Sequence, residues 1–391
     1  MKFATRLAVT GVAVGLASLS AVGIASASTP SATHSATGKH TLHACAAPTK
    51  GYATCFAQTL VSDNGANPNA SSPQGLNPAD IQSAYNLSGS STATVAIIDA
   101  YDDPTAESDL GVYRSTFGLP ACTTANGCFK KVNQTGGTKY PRSNANWAVE
   151  ISLDIDMVSA TCPTCHILLV EASTNSLANL AAAANYAASV PGVTAISNSY
   201  GGSDGAESSS YNHPGIAITA SSGDNGYGVE SPASYTHVIG VGGTSLTKAS
   251  NTRGWSETAW SGAGSGCSTL NAKPSWQTSV TQCSGKAIAD VAAVADPNTG
   301  VSVYDSTPYQ GLSGWEVWGG TSVASPIIAS VYALSGNTAG YPASYTWAHT
   351  SGLNDVTSGS NGTCSPSIWC NAGTGWDGPT GLGTPNGTSA F

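Results

Sequence analysis

Over most of this chain, apolar residues come in short unbroken blocks rather than singly. Thr94-Val-Ala-Ile-Ile-Asp99, His166–Glu171, Ile216–Ala220 and His237–Gly242 are such blocks. Runs of this length without a polar alternate predict strands covered on both faces. Thr194–Gly202 predicts a further strand that ends in a Gly turn. Between the blocks the spacing turns helical, over Asp103–Phe117, residues 146–160 and Leu177–Ala188. A first helix is expected after Asn77, with Asn77 as its N-cap and Pro78 in its first position. Val323–Leu334 is apolar enough for a buried helix that starts around Ser322. Strands alternating with helices predict an α/β fold, a doubly wound and mostly parallel sheet with helices on both faces. In such sheets functional sites gather at the carboxyl ends of strands.

The two ends read differently. Lys2 and Arg6, the apolar stretch Leu7–Ile24 and the small residues Ala25-Ser26-Ala27 predict a secretory signal peptide over residues 1–27. Residues 28–74 are rich in Ser, Thr, Ala, Asn and Pro, and predict a short pro-segment or disordered lead-in. Residues 350–391 are Gly-rich and irregular. The ten cysteines suit an oxidising compartment. They fall as neighbours, which predicts the pairs 45–55, 122–128, 162–165, 267–283 and 364–370.

Composition narrows the function classes. Of the 391 residues, 40% are hydrophobic and only 9% charged, and the net charge is -9. Few surface ion pairs are then at risk when carboxylates protonate, so tolerance of acid is expected. No Lys/Arg cluster exists to track a phosphate backbone, which argues against nucleic acid as a partner. No later apolar run is long enough to span a bilayer. A soluble, secreted, extracellular monomer is expected.

Three local patterns carry candidate chemistry. Gly319-Gly320-Thr321-Ser322 delivers a serine to the start of the apolar helix, where outward N–H groups favour developing negative charge. The same pattern can begin any buried helix. Glu150 and Asp154 lie four apart, one turn from each other on one helix face. The alternative is a solvated face carrying acids by chance, and Asp156 points elsewhere. Asp224 follows Ser221-Ser222-Gly223 at a strand end, as a turn residue or an oxyanion donor. A serine nucleophile needs a base. His166 and His237 begin apolar strands, His213 precedes Pro214, and His349 lies in a polar turn, so none has a catalytic context. A carboxylate base works best in acid, and a carboxyl can donate a hydrogen bond only when protonated.

These motifs, in order, resemble those of the sedolisin family of serine-carboxyl peptidases, whose fold is subtilisin-like. The resemblance runs from about Leu76 to Pro385. It is carried by Glu150-Ile-Ser-Leu-Asp154, Ser221-Ser-Gly-Asp224, Gly320-Thr-Ser322-Val-Ala-Ser-Pro326, and Asn354-Asp-Val356 with Ala372-Gly-Thr-Gly-Trp-Asp377. It implies a peptidase domain over 75–391, acting on peptides or proteins as an endopeptidase or tripeptidyl-peptidase with an acidic optimum. It implies Ser322 as nucleophile, Glu150 as base, Asp154 in support and Asp224 in the oxyanion hole. Substrate would pair with Ser199-Tyr200-Gly201. One calcium ion would be held by Asp355, Asp377 and the backbone oxygens of Val356, Gly373 and Gly375, all hard oxygen ligands. The family carries a long folded pro-domain, and residues 28–74 are too short for one. Trp255, Trp260 and Trp315 could line side-chain pockets or pack in the core. Asp99 resembles the strand-end aspartate of histidine-dependent subtilisins. An inert peptide-binding homologue and a subtilisin-type protease with a His base are the competing readings.

Overall fold

A computed structural model describes Met1, residues 38–62 and residues 71–391. Apart from Met1, the expected signal peptide lies outside the described residues.

The apolar blocks form one eight-stranded sheet. Its parallel heart runs Ile239–Lys248, Ala217–Ser221, Val193–Asn198, Thr94–Ala100, His166–Ala172 and Phe129–Asn133, each strand beside the next. Val291–Val294 joins Ile239–Lys248 in parallel, and Trp255–Ala259 closes that edge antiparallel. Strand interiors such as Val95–Ile98 and Leu168–Val170 are almost wholly buried, as unbroken apolar runs require. The fold expected from the sequence, mostly parallel strands with packed helices, is therefore the fold observed.

Six α-helices are described: α1 Pro78–Ala84, α2 Ala106–Thr116, α3 Ala145–Thr161, α4 Leu177–Ala188, α5 Thr321–Ser335 and α6 Pro342–Ala348. Asn77 caps α1 as expected: its side chain accepts from Asp80 N, and Asp80 Oδ2 accepts from Asn77 N. The two helices that matter for the site are α3 and α5, packed against each other and on the sheet. Residues Trp147–Thr161 of α3 are all buried, so no acid on this helix sits on a solvated face. Asp156 does point away from Glu150 and Asp154, but it is buried too and accepts a hydrogen bond from Tyr304 N.

Pro326 lies in the second turn of α5, not the first. A proline there cannot donate to the carbonyl four residues back. That carbonyl belongs to Ser322, and the Ser199 hydroxyl lies 3.4 Å from it.

Two regions depart from the expected pattern. Val301–Tyr309 and Leu312–Trp318 form an antiparallel hairpin against α2 and α3 that no apolar block announced. The lead-in is ordered where it is described. Lys39–His43 pairs antiparallel with Gln58–Ser62, and Thr54–Cys55 pairs antiparallel with Tyr200–Ser203. All five disulfides join the neighbouring cysteines as expected.

Candidate active site

Ser322 enters at the first turn of α5 because Gly320 makes a turn that only glycine fits. Its φ is +97°, and a methyl group there would come within 1.8 Å of the Phe56 carbonyl oxygen and 2.6 Å of Asp224 Oδ2. The Ser322 hydroxyl donates to the Ser199 carbonyl at 3.2 Å and accepts from Phe56 N at 3.2 Å. It also lies beside Glu150: burial is the main influence on that carboxyl and raises its proton affinity, and the Ser322 hydroxyl acts the other way.

Glu150 and Asp154 share a face of α3, as their spacing predicted. Glu150 Oε2 accepts from Ala57 N at 2.8 Å, and Asp154 Oδ1 accepts from the Ser199 hydroxyl at 2.8 Å. Among the described residues Glu150 Oε1 and Asp154 Oδ2 have no hydrogen-bond partner, and neither has either oxygen of Asp99. All three carboxyls are fully buried. Burial raises the proton affinity of each, and their mutual repulsion raises that of Glu150 and Asp154 further. Three such groups cannot all ionise together, so the cluster holds protons well above the usual carboxylate range.

Asp224 approaches from the opposite side. Its Oδ1 accepts from Thr321 N at 2.8 Å and from the Thr321 hydroxyl at 2.7 Å. Its Oδ2 accepts from Gln58 Nε2 at 2.5 Å. Burial pushes its pKa up to about 7, against the pull of those donors. Below neutrality this carboxyl therefore carries a proton it can give to an oxygen.

Four elements thus converge: α3, α5, the end of strand Val193–Asn198 with Ser199, and the turn after strand Ala217–Ser221. The last two are carboxyl ends of parallel strands, where the fold class places sites. Ser322, Glu150, Asp154, Asp224, Ser199, Tyr200 and Gly201 lie together here. Asp99 belongs to the same cluster through its charge. Among the described residues no hydrogen bond joins a histidine to Ser322. The rings of His213, His237 and His349 meet Ser210 O, the Glu207 carboxylate and Tyr345 O instead. Trp255, Trp260 and Trp315 are buried; Trp315 packs on Tyr113, Phe117 and Tyr304.

Residues 53–58 were not expected at the site. They run through it, and Gln58 and Gly319 exchange backbone hydrogen bonds of 3.1 and 2.7 Å. The one sequence signal was the short Cys45–Cys55 loop, which ends directly before Phe56-Ala57-Gln58. Thr321 was also missed as a partner of Asp224.

The C-terminal loops bring Asp355 and Asp377 close enough for the charge of one to raise the proton affinity of the other, although burial is the larger cause for Asp377. Asp355 Oδ2 accepts from Gly375 N at 2.9 Å and Asp377 Oδ2 from Gly373 N at 3.1 Å. No hydrogen bond to the carbonyls of Val356, Gly373 or Gly375 is recorded among the described residues. Two carboxylates and three free carbonyls are an all-oxygen set that fits calcium. Among the described residues no group of three or more His, Cys, Asp or Glu side chains forms a metal cluster, so side chains alone would not hold an ion.

No family model matches the chain. It is 28% identical to sedolisin of Pseudomonas sp. (strain 101) over 81% of its own length and 60% of the relative's. It is 28% identical to kumamolisin of Bacillus sp. (strain MN-32), again over 81% of its length and 63% of the relative's. The chain thus spans about three-fifths of the curated relatives it matches. Among solved structures, Pseudomonas sedolisin complexed with two molecules of pseudo-iodotyrostatin superposes with a TM-score of 0.67 and 26% identity, covering 81% of this chain and 96% of that one.

Proposed function

From the premise that this chain is a sedolisin homologue in sequence and in fold, we propose that it is a serine-carboxyl peptidase working in acid. The observation that supports this reading most is the pair Glu150 and Asp154, buried beside the Ser322 hydroxyl with an unpartnered oxygen on each. A buried carboxyl without a cation lowers stability, and such groups cluster where proton transfer is needed. In this reading a peptide pairs its backbone with Ser199–Gly201. Ser322 Oγ attacks the scissile carbonyl, and Glu150 takes the hydroxyl proton. Asp154, held by the Ser199 hydroxyl, sets the charge and proton occupancy of Glu150. Protonated Asp224 donates to the oxygen of the tetrahedral intermediate. Glu150 then returns its proton to the leaving amine, and water releases the acid from Ser322.

One calcium ion bound by Asp355, Asp377 and the carbonyls of Val356, Gly373 and Gly375 would supply charge that ties the two C-terminal loops together. The protein would act outside the cell as a monomer on peptides or proteins, with no nucleic-acid partner. No helix among the described residues is long and apolar enough to cross a membrane, and five disulfides suit export.

Casein digestion at acidic pH tests the reading. Ser322→Ala should lose roughly 10^4- to 10^6-fold in kcat with an unchanged melting transition. A wild-type protein that folds but cleaves nothing would leave a peptide-binding homologue instead.

A further inference from the structure

A second group of buried acids lies across α3 from the catalytic cluster, where the hairpin Val301–Trp318 seats on α2 and α3. Asp103, Asp109, Asp156 and Asp305 are all buried there. Two of them complete the hairpin's outer edge. Ser302 N donates to Leu76 O at 2.9 Å, Tyr304 N to Asp156 Oδ2 at 3.0 Å and Ser306 N to Asp109 Oδ2 at 2.9 Å. These N–H groups sit on alternate residues, so one carbonyl and two carboxyls stand where a third strand would pair. The hairpin's two strands form a sheet of their own. What seats it is therefore this edge and an aromatic contact, in which Trp315 packs on Tyr113 and Phe117 with ring centroids 5.9 and 5.5 Å away.

The edge is short of positive charge. Asp305 Oδ1 accepts from Thr307 N at 2.8 Å, and the Thr307 hydroxyl lies 3.1 Å from that of Thr105, which donates to Asp103 Oδ1. Among the described residues Asp156 Oδ1, Asp305 Oδ2 and the Tyr113 hydroxyl have no hydrogen-bond partner. Among them, too, no ion pair joins Asp109, Asp156 or Asp305 to a cation. Arg114 of α2 feels the charge of Asp156, but its guanidinium donates to Pro120 O, Pro163 O and Ser159 Oγ. Lys131 is taken by Asp102 at 2.6 Å and Glu171 at 3.4 Å. On the other strand Glu316 accepts from Trp318 Nε1 and shares a groove with Lys39 and Lys248, and Tyr309 donates to His43 O.

Burial pushes Asp305 up to about 8 and Asp103 up to about 6, and holds Asp156 well above the usual range; the charge of Asp109 adds to each. An exposed aspartate releases its proton near pH ~4. Between about pH 4 and about pH 8 the seated hairpin thus binds more protons than a lifted one, and its stability falls as pH rises through that window.

We propose that the hairpin is an acid-dependent latch, seated on α2 and α3 while Asp156 and Asp305 hold protons and lifting as they ionise beside Asp109. Glu150 and Asp154 lie on the other face of α3, so a lifted hairpin loosens the helix that carries the base. That consequence rests on the peptidase reading; the latch itself does not. It makes the protein idle at neutral pH by a change of structure, separate from the loss of the Asp224 proton.

The test uses the full chain carrying Ser322→Ala, so that opened molecules are not digested. Amide hydrogen exchange is read by mass spectrometry from about pH 4 to about pH 8, each rate divided by that of the unfolded chain at the same pH. Protection over residues 301–318 should fall by roughly 100-fold or more, while strands Thr94–Ala100 and Ala217–Ser221 keep theirs. Unchanged protection over 301–318 overturns the latch, and so does an equal fall in those strands, which is global unfolding. Asp156→Asn with Asp305→Asn keeps an accepting oxygen at each position and removes both titrations. Its protection at the upper pH should stay within about threefold of that in acid. A fall as large as the parent's overturns the carboxyls as the cause. Where that variant melts early in acid, Asp305→Asn alone, which leaves the bonds from Tyr304 N and Ser306 N in place, should recover about tenfold of the lost protection; no recovery overturns the same point. With Ser322 intact, a hold at the upper pH should give a lag in casein digestion after return to acid, absent from the double variant. Immediate return of the wild-type rate overturns the link to catalysis. No digestion under any treatment overturns the peptidase reading and leaves the latch to stand or fall on exchange.

Discussion

Two buried carboxyl centres in this protein are treated in opposite ways. Asp290 is buried with Lys286 2.6 Å from its Oδ2, and every further site is filled. Gly240 N donates to Oδ2, while Gln277 Nε2 and Trp347 Nε1 donate to Oδ1. Lys286 itself also donates to Ala287 O and Ile288 O. Around Ser322 three carboxyls are buried just as deeply, and among the described residues they have no cation as a partner and four of their oxygens have no hydrogen bond. The first arrangement spends its charges on holding loops together. The second leaves acceptors open and raises the proton affinity of its acids. Burial alone does not distinguish the two centres; a cation beside one and none beside the other does.

The largest effect that can break this contrast is on catalysis. Glu150→Gln keeps the shape and the bond from Ala57 N but cannot carry a proton. It should lower kcat by roughly 10^4-fold or more while the melting temperature holds or rises, since a costly buried acid is gone. Full turnover by this variant would remove Glu150 from the proposed mechanism. Asp290→Ala should do the reverse. It strands a buried ammonium, at about 3–5 kcal/mol of stability, with turnover per folded molecule unchanged; thermal unfolding and active-site titration together read both. A third, smaller effect sharpens the comparison at Asp355 and Asp377, where two acids meet free carbonyls. Removing calcium with EDTA should lower stability by about 2 kcal/mol at saturating metal, seen as a drop in melting temperature. No change would remove the metal from the account.

Much of the site was legible because its chemistry follows local spacing. Four residues on a helix bring Glu150 and Asp154 to one face, and a Gly-Gly turn aims Ser322. The strands were legible because unbroken apolar runs have few other uses. The hairpin Val301–Trp318 was not, because its polar and aromatic residues follow neither period cleanly. The solvated alternative for Asp156 misled for a related reason: nothing local says that α3 is covered on every side by α1, α2, α5 and the hairpin. The arm through the cleft was hidden most deeply. Residues 53–58 bury Ala53, Cys55, Phe56 and Ala57 as well as making backbone hydrogen bonds, but they sit inside a Ser-, Thr-, Asn- and Pro-rich segment whose composition reads as a loose tail. Asp99 was noticed as a strand-end acid, but its place beside Glu150 and Asp154 depends on the strand and helix meeting in space.

The account's central claim is that carboxyls, without an imidazole, move the protons at Ser322. The most direct test is the rate of peptide hydrolysis by wild type from about pH 3 to pH 9. Asp224 donates only while protonated, and burial holds its pKa at about 7. The rate should therefore fall as pH rises through neutrality and that proton is lost, and fall also in stronger acid, where Glu150, whose proton affinity burial raises, is protonated and can no longer accept the Ser322 proton. A rate that instead climbs through neutrality to an alkaline plateau would contradict the claim.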